Sequence, residues 1–221
     1  MRTKPVITTV TIDQGNGRLT RYQSGNPRAQ LALGHGFGGG INSRDLDAIA
    51  AVLPTTDIDV ILVEQPWVVA GKKLAPAPSR LDAAWLQLVD KIDRDLPLFI
   101  GGRSAGARVA CRTAIELEVA GVVALAFPLH APGKSEASKA DELLRPTQPL
   151  QVVQGTRDTF GTYDEIRKVI GRRRNRWVAA IEGADHSFAV RKDNPLAQEE
   201  SDLAIAEAVA DFLAPDGRAG L

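Results

Sequence analysis

The sequence predicts an α/β protein: a mostly parallel central sheet with helices on both faces and an antiparallel edge at the N-terminus. Short apolar runs of strand length recur along the 221 residues, at 31–33, 58–63, 98–100, 122–127, 150–153 and 177–181. Near-continuous apolar strands of this kind belong to sheets buried on both faces. The segments between them carry helical spacing or run a dozen residues and more, the length a parallel crossover requires. Reactive residues gather directly after the strands, where ligands bind in open α/β sheets.

Taken in order, residues 6–12 alternate apolar and polar like a half-buried strand, and Gln14-Gly15-Asn16-Gly17 is a hairpin signal with 19–22 as the partner. This pair reads as antiparallel and at a sheet edge. The strand at 31–33 ends in His35-Gly36-Phe37-Gly38-Gly39-Gly40, and a helix from about Ser43 places Leu46, Ile49, Ala50 and Leu53 on one side. The strand at 58–63 leads into a Pro-, Gly- and Ala-rich connection, then an amphipathic stretch at 81–92 with Leu81, Ala84, Trp85, Leu88 and Ile92 on one face. After 122–127 comes an irregular, polar segment up to Pro149. The strand at 150–153, a helix at 163–170, the strand at 177–181 and a helix at 199–212 complete the pattern, and 215–221 reads as a frayed tail. No composition shift, linker or internal repeat divides the chain, so a single domain over 1–221 is expected.

The centre of the sequence is Gly102-Arg103-Ser104-Ala105-Gly106. The apolar run 98–100 breaks at Gly101-Gly102, and a helix begins straight after Ser104 with Ala107, Ala110, Cys111, Ala114 and Leu117 on one face and Arg108, Arg112 and Glu116 on another. Strand, sharp turn, serine and helix make a nucleophile elbow, which lifts a strained serine above the sheet. Small residues at 102, 105 and 106 remove Cβ clashes with neighbouring strand and helix, and the helix N-terminus offers N–H groups to a developing anion.

Composition narrows the function classes. Hydrophobic residues make up 44% and charged residues 24%, as in ordinary globular proteins. Lys+Arg and Asp+Glu balance at 27 each, which gives no electrostatic case for nucleic acid or an anionic membrane. One cysteine excludes an internal disulfide and fits a reducing, cytoplasmic compartment. The N-terminal residues have no signal-peptide pattern, and no apolar stretch reaches the roughly 18 residues of a membrane span.

Ser104, Asp158 and His186 each follow a predicted strand, in the order Ser, Asp, His. Acyl transfer needs those roles: a nucleophile, a base, and a carboxylate to orient the base. Glu64 and Asp185 are rival acids, and His130, also at a strand end, is the alternative base or a pocket-wall residue. Four motifs carry a resemblance to the α/β-hydrolase superfamily over nearly the whole chain: His35-Gly36-Phe37-Gly38-Gly39, Gly102-Arg103-Ser104-Ala105-Gly106, Gly155-Thr156-Arg157-Asp158 and Gly183-Ala184-Asp185-His186-Ser187-Phe188. The chain most resembles the small cap-less members known as dienelactone-hydrolase-like. The resemblance implies the α/β-hydrolase fold, with Ser104 as nucleophile, His186 as general base and acid, Asp158 as its carboxylate, and the backbone N–H groups of Phe37 and Ala105 as the oxyanion hole. It implies no metal or organic cofactor. A serine stands where the dienelactone hydrolases proper carry cysteine, which speaks against that particular lactone.

His35 is expected to brace the glycine loop rather than react, and Trp67 and Phe160 are candidate pocket residues beside His130. Cys111, on the apolar helix face, reads as inert packing, and Arg172-Arg173-Arg174-Asn175-Arg176 as solvated cations at a helix C-terminus. The expected activity is a serine hydrolase cleaving a small carboxylic ester, thioester or lactone. A non-catalytic scaffold of the same fold and an acyltransferase with the same triad are the alternatives.

Overall fold

The alternating N-terminal segment forms β1 (Val6–Ile12), paired antiparallel with β2 (Gly15–Tyr22). The structure is a computed structural model and describes residues 4–214 except 39, 137 and 194–196. Residues 215–221, read from sequence as a tail, lie outside the described residues, as does Gly39 of the glycine loop. β1 sits at the sheet edge, with Val6 and Ile7 exposed. The hairpin turn is tighter than the sequence suggests, because strand pairing already begins at Ile12 and Gly15.

The remaining strands are β3 (Ala29–Gly34), β4 (Ile58–Glu64), β5 (Leu98–Arg103), β6 (Gly121–Leu125), β7 (Leu150–Gly155) and β8 (Arg176–Ile181). They build one sheet in the order β1-β2-β4-β3-β5-β6-β7-β8, antiparallel from β1 to β4 and parallel from there on. The chain moves outward from β3 to β4 on one side and from β5 to β8 on the other. The order therefore reverses between β3 and β5, and the crevice of such a sheet opens at that point. Gly34 lies opposite Gly102 in the parallel ladder, so the glycine loop and Ser104 leave the sheet side by side.

Side-chain alternation splits the core into two layers. Leu31, Leu33, Phe99 and Val123 face α1 (Arg44–Val52) and the C-terminal helix, whereas Ala32, Ile61, Ile100 and Val152 face the opposite layer. That second layer is built from α2 (Pro66–Val69), α3 (Pro78–Val89), α4 (Ala105–Leu117), α5 (Ala140–Leu144) and α6 (Tyr163–Ile170), and α7 (Gln198–Leu213) closes the first. Phe99 meets Phe212 of α7 edge-on, with ring centroids 5.9 Å apart at 77°, a geometry that adds about 1 kcal/mol to the burial itself. Ala107, Ala110, Cys111 and Ala114 are fully buried on the elbow helix, as their spacing predicts, and the opposite face of α4 holds a charge network. In that network Arg108 and Arg112 each lie 2.6 Å from Glu142, and Arg112 lies 2.6 Å from Asp82. It pins α5, and with it part of the segment that sequence reads as irregular.

Further boundaries differ from the sequence reading: β3 is longer than the expected 31–33, and β6 ends at Leu125 rather than at 127. β5 runs through Gly101-Gly102 to Arg103 because both neighbouring strands continue their ladders there, opposite Leu33 and Gly34 on one side and Val123 to Leu125 on the other. α3 starts at Pro78, a residue suited to a first turn, and ends at Val89 with buried Ile92 just beyond. Among the described residues no helix is long and apolar enough to cross a membrane.

Candidate active site

Ser104 sits in the one-residue hinge between β5 and α4, with φ 51° and ψ −115°. Only strong surroundings hold a non-glycine residue in that region. Here the Ser104 N–H donates to the Leu125 carbonyl at 2.9 Å, and the first turn of α4 presses against the end of β3. A Cβ on Gly106 would lie 2.7 Å from the Gly34 carbonyl and 2.9 Å from the His35 oxygen. Glycine at 106 is thus a packing requirement, which brings the helix N-terminus up to the glycine loop.

The other two residues arrive on loops that are laced together. The Arg157 N–H donates to Ala184 O at 2.9 Å, and the Gly183 N–H to Thr156 Oγ1 at 2.8 Å. Asp185 accepts the N–H groups of Ser187 and Ala189 on one oxygen, at 2.8 and 3.0 Å, which turns the chain so that His186 faces inward. Ser104 Oγ then lies 2.9 Å from His186 Nε2, and His186 Nδ1 lies 2.8 Å from Asp158 Oδ2. The Asp158 side chain is fully buried, and its Oδ1 accepts the Phe160 N–H at 2.8 Å. A carboxylate at Nδ1 keeps that nitrogen protonated and leaves the Nε2 lone pair turned to the serine hydroxyl. Phe160 lies over the imidazole, ring centroids 4.3 Å apart.

Phe37 and Ala105 line a cavity of about 10 Å³ between the glycine loop and the elbow, with Gly34, His35, Gln65, Trp67, Leu81, Trp85, Gly106 and Val109 around it. That space admits about one water-sized group. His35 Nδ1 lies 2.8 Å from the Gly36 carbonyl, and its Nε2 accepts the Gln65 N–H at 3.2 Å. Burial holds its pKa below the ordinary histidine value, against the pull of the Gly36 carbonyl and Glu64. His35 therefore braces the base of the loop as a neutral ring, with Trp67 packed beside it at 5.6 Å between ring centroids.

His130 is not brought to Ser104. Its Nδ1 lies 3.0 Å from Ala131 O and its Nε2 3.2 Å from Glu165, next to the first turn of α6. The Ala131 carbonyl, and after it Glu165, raises its pKa. Glu64 is occupied by Arg18 at 3.1 Å, and Asp185 by its own loop, so the rival acids have other partners. Cys111 is buried, and desolvation pushes its thiol up to about 12. Arg173 of the basic run donates to the carbonyls of Val169 and Ile170 at the end of α6, and Arg176 reaches those of Pro146 and Gln148. Sequence reading missed Gln154, which donates to Asp158 Oδ2 at 2.9 Å and Gly161 O at 2.6 Å and accepts the Phe127 N–H at 2.8 Å. β7 carries two glutamines, Gln151 and Gln154, both fully buried, and nothing in the sequence sets the second apart. Arg103 was missed as well.

Residues 27–214 match the family described as "Alpha/beta hydrolase domain". The chain belongs to the alpha/beta-hydrolase family. This alpha/beta hydrolase is similar in fold to several solved structures. An alpha-beta serine hydrolase homologue from Coxiella burnetii shares 13% identity at a TM-score of 0.73, over 97% of this chain and 99% of that one. A serine hydrolase of the same fold from Xanthomonas campestris, described as lacking a lid, shares 16% identity at 0.71, over 96% and 97%. Est1E from Butyrivibrio proteoclasticus shares 14% at 0.71, over 92% and 97%. At such identities the likeness concerns the fold of this alpha/beta hydrolase, and its chemistry rests on its own residues.

Proposed function

We propose that the protein is a serine hydrolase acting on a small carboxylic ester, thioester or lactone through an acyl-enzyme on Ser104. The observation that carries this reading is the unbroken line from Ser104 Oγ to His186 Nε2 and from His186 Nδ1 to Asp158, at 2.9 and 2.8 Å. His186 takes the Ser104 proton as Oγ attacks the carbonyl carbon, and Asp158 stabilises the imidazolium that results. The N–H groups of Phe37 and Ala105 receive the oxyanion, each contributing about 3 kcal/mol to the transition state. His186 then protonates the leaving alcohol, thiol or ring oxygen. In the second half it activates water against the acyl-enzyme, which releases the acid and restores Ser104.

Substrate size follows from the walls. The two buried indoles of Trp67 and Trp85 close the space beside Phe37 and Ala105, which leaves little depth for an acyl chain there and supports short acyl groups.

The test is labelling with a fluorophosphonate, the modified residue mapped by mass spectrometry, beside denatured protein and a His186→Ala variant. Labelling of Ser104 alone, lost without His186, is the expected result. An unreactive folded protein would sink the hydrolase reading and favour a scaffold. A panel of p-nitrophenyl esters then sets chain length, and long-chain esters outperforming acetate would overturn the short-acyl assignment.

A further inference from the structure

The residue before the nucleophile takes no part in the chemistry outlined above, yet its side chain bonds to two separate parts of the structure around the site. Arg103 is the last residue of β5 and points to the same sheet face as Phe99, the face covered by α1 and α7. There its Nε donates to Asp45 Oδ2 at 3.1 Å, and its Nη2 donates to the main-chain carbonyl of His186 at 2.7 Å. Its Nη1 lies beside the glycine loop, 3.3 Å from where a Cβ on Gly36 would stand. Asp45 is in the first turn of α1 and fully buried, and its second oxygen has no partner among the described residues.

A buried ion pair is weak evidence for stability, since desolvating both charges offsets much of their attraction. What the pair does supply is position. The planar guanidinium donates in two fixed directions at once, which a lysine ammonium on a flexible stem does not reproduce. We propose that Arg103, fixed by Asp45, is a positioning residue that clamps the main chain of His186 so that its Nε2 stays on Ser104. The proposal rests on the triad reading given above. Asp158 holds the imidazole at one end of the residue and Arg103 holds the carbonyl at the other. With the second hold gone, the ring stays tethered to Asp158 while the loop carrying it is free to drift, and the Ser104 contact lengthens.

The experiment measures steady-state hydrolysis of p-nitrophenyl acetate and the rate of fluorophosphonate labelling in wild type, Arg103→Met, Arg103→Lys, Asp45→Asn and the Arg103→Met/Asp45→Asn double variant, with melting temperatures alongside. A shift of about 1 Å in a reacting group costs on the order of 10²-fold. Arg103→Met is therefore expected to lower kcat and the labelling rate about 100-fold while KM stays within about twofold. Arg103→Lys restores part of the loss, and the double variant is no slower than Arg103→Met, because Asp45 acts only through Arg103. A kcat near wild type in Arg103→Met overturns the proposal, as does a raised KM at constant kcat, which would mark Arg103 as a substrate contact. Additive losses in the double variant overturn the role of Asp45. If Arg103→Met does not fold, the Arg103→Lys and Asp45→Asn variants decide by the same split of kcat from KM. Wild-type protein that resists the probe removes the triad reading and this proposal together, whereas reactive wild type beside fully reactive variants removes this proposal alone.

Discussion

Gln154 and His186 meet on the same oxygen of Asp158, the amide at 2.9 Å and the imidazole nitrogen at 2.8 Å. The glutamine thereby helps to hold the carboxylate oxygen that the histidine contacts. Its other bonds tie the end of β6 to the turn after Asp158, through the Phe127 N–H and the Gly161 carbonyl. Gln154→Leu keeps the volume and strands the Phe127 N–H and the Gly161 carbonyl in a dry interior, where each unpartnered group costs about 1–3 kcal/mol. A loss of at least about 2 kcal/mol in urea-unfolding free energy is expected, with a fall in kcat larger than any change in KM. An unchanged unfolding midpoint would contradict the assignment.

Asp158→Asn separates orientation from folding. The asparagine oxygen can still accept the Phe160 N–H, but a side-chain amide facing Nδ1 favours the tautomer with its proton on Nε2, the wrong nitrogen for a base. Measured against known serine triads, kcat is expected to drop about 10⁴-fold with the fold retained, while the new amide, set against the Gln154 amide that now donates to Oδ2, lowers stability. Ester hydrolysis and circular dichroism on the same preparation check both halves of that expectation.

The His130–Glu165 contact gives a pH dependence with a definite sign. The Ala131 carbonyl and Glu165 raise the His130 pKa above its ordinary value of 6.5. The stabilisation is fully present below 6.5, where the unfolded chain is protonated too, and is lost as pH rises through the folded value. Glu165, lowered by the Thr162 N–H and then by the Thr162 hydroxyl and His130, contributes above its ordinary 4.5 and loses that contribution as pH falls. The stability gap between wild type and His130→Gln is thus widest between about 4.5 and 6.5 and narrows towards pH 8. Urea midpoints at pH 5.5 and 8.0 test this. Because His130 faces Glu165 and not Ser104, the variant is also expected to keep its ester hydrolysis.

Legibility in the sequence followed the range of the interactions concerned. β1 and α6 match their expected bounds residue for residue, since the alternation of Val10, Thr11 and Ile12 before the turn and the Thr162–Glu165 capping box are local signals. Ser104, Asp158 and His186 stand out as polar residues just past strands, although their mutual contacts, 82 and 28 residues apart in sequence, belong to the topology. The extra length of β5 was hidden because glycine weakens a strand pattern even where both neighbouring ladders enforce it. The five residues of α5 are too few to show a period. Gln154 and Arg103 were unreadable for a different reason. Their types are ordinary, and only partners brought in by the sheet give them roles, such as Asp45 and His186, 58 and 83 positions from Arg103.

The strained backbone of Ser104 makes a last prediction that separates stability from activity. At φ 51° and ψ −115° a side chain at 104 crowds the backbone, a cost of order 1–3 kcal/mol. Ser104→Ala and Ser104→Gly both remove the hydroxyl and its bond to His186, so both are expected to be inactive. They differ in strain. Alanine keeps the Cβ, whereas glycine reaches this region without penalty and loses only about 0.5–1 kcal/mol through the greater freedom of its unfolded chain. Ser104→Gly should therefore unfold at higher urea than Ser104→Ala, by on the order of 1 kcal/mol. An alanine variant as stable as the glycine variant would show that the elbow holds no strain at this residue. The sharp turn would then be relaxed, and the exposure of Ser104 would follow from its place between β5 and α4 alone.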